Sequence, residues 1–154
     1  METPVIIGLA LAGALVLLVF IIIAIYNGLV RKRVDTDNAW SQIDVQLRRR
    51  YDLIPNMVET VKGYASHERE TLEGVISARA RAVAVSSDAA HAAEKAGAEN
   101  MLTAALGRLI AVAEAYPQLK ADANFAGLQE ELSTTENKIS FARQHFNDTV
   151  ASYE

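Results

Sequence analysis

No charged side chain occurs between Glu2 and Arg31, and 19 of the 21 residues from Val5 to Ile25 are apolar. As a helix rising about 1.5 Å per residue, that run measures roughly 31 Å, enough to cross the hydrocarbon layer of a bilayer. A cleaved signal peptide would open with a basic stretch and close on small residues. This chain opens Met1-Glu2-Thr3-Pro4 and leaves the run through bulky Ile22-Ile23-Ala24-Ile25-Tyr26. The run therefore reads as an uncleaved anchor. Val5, Leu15, Phe20 and Ile25 face lipid, and Tyr26 sits at the interface. Gly8/Ala12 and Ala10/Ala14 are small residues at i, i+4. They suit close helix approach, and equally serve as lipid-facing filler.

Orientation follows from the flanks. Arg31, Lys32 and Arg33 lie just past the span, and nothing basic but the amino terminus precedes it. The positive-inside rule then predicts a single-pass inner-membrane protein with its N-terminus outside and the rest cytoplasmic. Residues 1–26 form the short outer end and anchor, and residues 27–154 a cytoplasmic domain.

Outside the anchor the apolar share falls to about 44%, ordinary for a soluble domain. Much of that share is Ala, so the core is lean. A net charge of −4 leaves no electrostatic footprint for nucleic acid, and the absence of Cys excludes disulfides and thiolate sites.

The soluble part reads as helix throughout. Trp40, Ile43, Leu47, Tyr51, Ile54, Val58, Val61 and Ala65 recur at three-four spacing on one face. Pro55 interrupts this stretch without shifting its phase. The spacing predicts one long first helix, kinked near Pro55 and ending at Gly63–Ser66, with a turn at Asp52–Pro55 as the alternative. A second helix spans about His67–Val85. Ser86-Ser87-Asp88 then supplies a turn and N-cap for a third, which stops at Pro117. From Ala89 to Ala98 that third helix carries no large apolar residue, so it packs weakly or lies close to a neighbour.

A fourth helix from about Asn124 repeats Phe125, Leu128, Leu132, Thr135, Ile139, Ala142, Phe146, Thr149 and Tyr153. Alternating three and four spacing suits coiled-coil-like bundle packing. The expected fold is all-α: a transmembrane helix followed by an up-down antiparallel four-helix bundle.

Motifs for chemistry are missing. His67, His91 and His145 lack ligand-like partners, no Glu-x-x-His pair occurs, and no phosphate loop or nucleophile setting is present. No catalytic, cofactor or metal residue is expected, and no small-molecule substrate. Asn147-Asp148-Thr149 matches a glycosylation sequon that a cytoplasmic location would leave unused.

Arg48-Arg49-Arg50 is the one conspicuous charge cluster. It lies about 26 Å along the helix from Arg31, several Debye lengths beyond the headgroups. Asp44 and Asp52 flank Arg48 at i±4, so local ion pairing is one reading. An acidic partner or intersubunit contact is the other. Phe141 falls off the apolar stripe among Lys138, His145 and Asp148, either as a subunit contact or as a lone surface aromatic. The candidate interface is thus Arg48, Arg49, Arg50 and Phe141.

Particular strings add to this reading. Tyr26-Asn27-Gly28-Leu29-Val30, Ala39-Trp40-Ser41-Gln42-Ile43-Asp44 and Asp52-Leu53-Ile54-Pro55-Asn56-Met57-Val58-Glu59 resemble the LemA family. So do Ala115-Tyr116-Pro117-Gln118-Leu119 and Thr135-Glu136-Asn137-Lys138-Ile139. The resemblance covers residues 26–153. It implies a bacterial inner-membrane protein with one N-terminal span, a cytoplasmic four-helix bundle and no enzyme activity. MamQ-like magnetosome proteins are relatives, which implies a link to membrane organisation. Family members also tend to be encoded near membrane proteases. The family pattern usually continues past Tyr153-Glu154 with an Asn and a Phe-Pro, so a truncated or short form is expected here.

Core packing accounts for most of these strings, but not for Asn38, Gln42, Gln46 and Asn56, which face elsewhere and invite an interface. The expected function is a membrane-anchored, self-associating helical scaffold that organises or remodels membrane. The alternative is a non-catalytic adaptor of a membrane protease or other membrane protein.

Overall fold

A computed structural model of the chain describes residues 2–153, apart from the side chains of residues 2, 5, 10, 89 and 153. Among the described residues there is helix and no strand. The elements are α1 (Glu2–Tyr64), α2 (Arg69–Ala84), a 3-10 turn (Ala89–His91), α3 (Ala92–Ala115), the short α4 (Pro117–Lys120) and α5 (Ala123–Tyr153). The predicted third helix thus opens with a 3-10 turn, its His91 N–H held by the Asp88 carboxylate at 3.0 Å. Asp122 caps α5 in the same way, accepting from the Phe125 N–H at 2.9 Å.

α1 answers the open question at Pro55: it is helical without a break from the apolar run to Tyr64. Proline at 55 removes the N–H that the Tyr51 carbonyl would accept and costs a helix interior about 3 kcal/mol. Two features offset that cost. Ile54, Met57, Val58 and Val61 are buried on both sides of the proline, so core packing holds the helical phase. The stranded Tyr51 carbonyl instead accepts from Arg79 Nε of α2 at 2.8 Å.

Every described side chain from Thr3 to Asp35 is exposed, and α1 is long and apolar enough to cross a membrane. From Ala39 onward the same helix becomes part of a core. α1 packs along α5 and α2, and α2 packs along α3, whereas α3 and α5 share no extended contact among the described residues. Directions follow from specific pairs. Trp40 meets Phe146 edge-on with centroids 5.1 Å apart, while Tyr64 Oη donates to Asp122 at 2.8 Å, so α1 and α5 run antiparallel. Trp40 Nε1 donates to the Ser87 carbonyl and Arg79 reaches Tyr51, so α1 and α2 also run antiparallel.

One apolar cluster joins all four long helices. Leu47, Ile54 and Val61 of α1 pack with Val75 of α2, Leu102 and Leu109 of α3, and Ile139 of α5. The predicted α5 stripe lies inward: Phe125, Leu132, Thr135, Ile139 and Ala142 are buried and Leu128, Phe146 and Thr149 half-buried. Tyr153 of that stripe is among the side chains outside the description.

Candidate functional site

Two regions carry the chemistry of this molecule, one inside the helical core and one on its surface. The interior one departs from expectation. The Ala-rich start of α3, expected to pack weakly or to lie close to a neighbour, also turns Lys95 and Glu99 into the core. Their exposures are 3% and 1%. Both lie on the line Lys95, Glu99, Leu102, Leu106, which extends the α3 stripe backward at four-three-four spacing. That spacing was the available signal, masked because charged residues are almost never fully buried unless paired.

Here each is paired. Glu99 Oε2 lies 3.3 Å from Arg50 Nη1, and Glu99 Oε1 accepts from the Tyr51 hydroxyl. Arg50 Nη2 donates to Thr103 at 2.9 Å and lies 3.0 Å from the Glu136 carboxylate of α5. Lys95 Nζ donates to the carbonyls of Ala82 and Val85, closing the C-terminal turn of α2, and stands 5.3 Å from the Tyr51 ring centroid. Burial, reinforced by the bond to Glu99, holds the Tyr51 hydroxyl far above its usual value of 10.0. Burial also depresses the Lys95 ammonium below 10.5, although Glu99 and Asp44 oppose that shift.

This network corrects the reading of the arginine triplet. Arg50 is 3% exposed and committed to α3 and α5, so it is withdrawn from the candidate surface. Arg49 pairs with Glu131 of α5 at 2.6 Å, and Arg48 with Asp44 at 2.7 Å. Neighbouring residues of a helix point about 100° apart, so a triplet contiguous in sequence serves three directions.

The surface region is a cleft of about 480 Å³ between α1 and α5. Gln42, Val45 and Gln46 form one wall, and Lys138, Phe141 and His145 the other. Phe141 is 73% exposed and Val45 58%, a paired apolar exposure outside the N-terminal apolar run. The Gln46 carbonyl oxygen is buried with no hydrogen-bond partner among the described residues. Gln42 and Gln46, singled out in the sequence as facing away from the core, thus share this cleft with Phe141.

Of the predicted anchor residues, Leu15, Phe20, Ile25 and Tyr26 are exposed, and the side chain of Val5 lies outside the description. Arg31, Lys32 and Arg33 are exposed on the first turns past the run, and Lys32 Nζ donates to the Ser152 carbonyl at the end of α5. Among the described residues no three His, Asp or Glu side chains converge as a metal-ligand set.

Comparison with known proteins agrees with the motif strings. The model of the LemA family matches residues 39–154. Protein LemA of Metamycoplasma hominis is 25% identical over 134 residues, which make up 87% of this chain. The chain spans 60% of the length of that curated relative.

Proposed function

This chain belongs to the LemA family, and on that premise we propose that it is a membrane-anchored, self-associating helical scaffold without enzyme activity. Residues 5–25 cross the bacterial inner membrane with the N-terminus outside, the orientation favoured by Arg31, Lys32 and Arg33. Residues 27–154 form an up-down antiparallel four-helix bundle on the cytoplasmic face. The unbroken path of α1 from apolar run to core supports this, because it fixes the bundle rigidly to the span. Side-by-side bundles held in this way organise the membrane beneath which they lie.

The observation that carries the reading is the Phe141–Val45 cleft. An exposed aromatic beside an exposed valine, over an unpartnered glutamine carbonyl, suits a subunit contact in which each copy presents the same patch. Mass measurement of the detergent-extracted protein tests it. We expect an oligomer at about 10 μM that dissociates on Phe141→Lys with its helix content retained. A wild-type monomer at that concentration refutes self-association. If the cleft instead receives another membrane protein, as in the adaptor reading, a photocrosslinker at position 141 captures that protein in membranes and gives no self-crosslink.

A further inference from the structure

The Ala-rich start of α3 leaves a second, smaller cavity of about 190 Å³ where α3 faces the α1–α5 seam. Its floor is apolar: Ile43 and Leu47 with the edge-on pair Trp40 and Phe146. Its α3 side is lined by Ala92 and Ala96, which present only a methyl group each. Larger residues at those two positions would fill the space, so the cavity follows directly from the composition of this helix. An apolar cavity of about 150 Å³ is enough to accept a benzene ring.

The charged groups around it are biased to one sign. Arg143 and Lys95 line the cavity, and no carboxylate does. Asp44 and Glu99 act on Lys95 from nearby, but each is already held by an arginine, Arg48 and Arg50 respectively. Lys95 is committed to two backbone carbonyls. Arg143 is half-buried and, among the described residues, has no ion pair, while Asn147 one turn later adds an amide to the same wall. An uncommitted guanidinium beside an aromatic floor matches a planar anion carried on an apolar body, because the guanidinium fork meets a carboxylate with two parallel hydrogen bonds.

We infer that this cavity binds a small organic carboxylate with an aromatic or short aliphatic body, its head on Arg143 and Asn147 and its body against Trp40 and Phe146. No sequence motif announces such a site, and it is independent of the self-association cleft, which lies on other residues of α1 and α5. The ligand comes from solution. Trp40 lies 15 residues past Ile25, about 22 Å along the helix, beyond the reach of bilayer acyl chains.

Trp40 is the single tryptophan of the chain, so intrinsic fluorescence reports on the cavity directly. The test titrates phenylacetate into the full chain in a tryptophan-free detergent and follows Trp40 emission. A ligand of this size is expected to give a saturable change with a Kd of about 1 mM. Neutral phenylacetamide should bind at least about tenfold more weakly, and Arg143→Gln should weaken phenylacetate by a similar factor. Ala96→Leu should abolish the response while raising the thermal midpoint, with Ala92→Leu as the second cavity-filling variant if the first fails to fold. The proposal is overturned by equal responses to acid and amide, by wild-type affinity in Arg143→Gln, or by no saturable change up to about 50 mM.

Discussion

The bond from Arg79 to the Tyr51 carbonyl makes a quantitative claim about how α1 tolerates Pro55. Tyr51 is buried, so its carbonyl, denied the N–H of residue 55, has Arg79 Nε at 2.8 Å as its replacement donor. Arg79→Met therefore strands a buried acceptor, at about 1–3 kcal/mol. Pro55→Ala restores the helical N–H and removes the ring clash. It should stabilise by up to about 3 kcal/mol, less whatever strain the packed helix has already relaxed. In the Pro55→Ala background the Tyr51 carbonyl has its own helical donor, so Arg79→Met should cost less than about 1 kcal/mol. The cycle predicts a coupling of about 1–2 kcal/mol, against about 0.3–0.5 kcal/mol for independent sites. The assay is urea unfolding of the four proteins in one detergent, followed by helical circular dichroism. If Arg79→Met costs the same in both backgrounds, Arg79 does not compensate for the proline.

Two further expectations concern the buried network. Glu99→Ala leaves Arg50 with the part-exposed Glu136 as its one carboxylate, beside Thr103, and Tyr51 with only the Ala82 carbonyl at 3.5 Å, so it should cost about 3–5 kcal/mol. The apolar double variant Arg50→Met/Glu99→Leu should recover most of that loss in the same unfolding assay, and failure to recover would show that packing rather than charge dominates there. The second concerns alkali. Tyr51 keeps its proton in the fold well above 10.0, where the unfolded chain releases it. The native state then binds more protons, so this stabilisation is full below pH 10 and declines above it by about 1.4 kcal/mol per pH unit. Lys95 acts with the opposite sign, but only up to 10.5, where the unfolded ammonium titrates. Unfolding free energies measured between pH 10.5 and 11.5 should thus fall about one proton less steeply in Tyr51→Phe. Parallel slopes would remove Tyr51 from the account.

Local pattern was enough for the outline of this protein. Nineteen apolar residues in 21 require a non-aqueous neighbour wherever the rest of the chain goes. Three-four spacing placed the ends of the long helices within a few residues of where they lie. The stripe on α5 left Phe141 outside the core, where it is found. Each of these depends on interactions within a few turns, or on transfer of one segment between solvents, so residue order alone encodes them.

What required tertiary structure were the partnerships between helices. Three adjacent arginines divide among a local aspartate, Glu131 of α5 and a buried network, because their directions differ and each meets a different neighbour. Lys95 and Glu99 look like solvated charges on an Ala-rich helix. They become interior only because Arg50, Tyr51 and the last carbonyls of α2 arrive at the same height. Pro55 stays helical because a residue 24 positions later supplies the donor that its own backbone cannot. In each case the energy of a polar group depends on what the fold brings within about 3 Å of it, and such distances are set by packing rather than by sequence spacing.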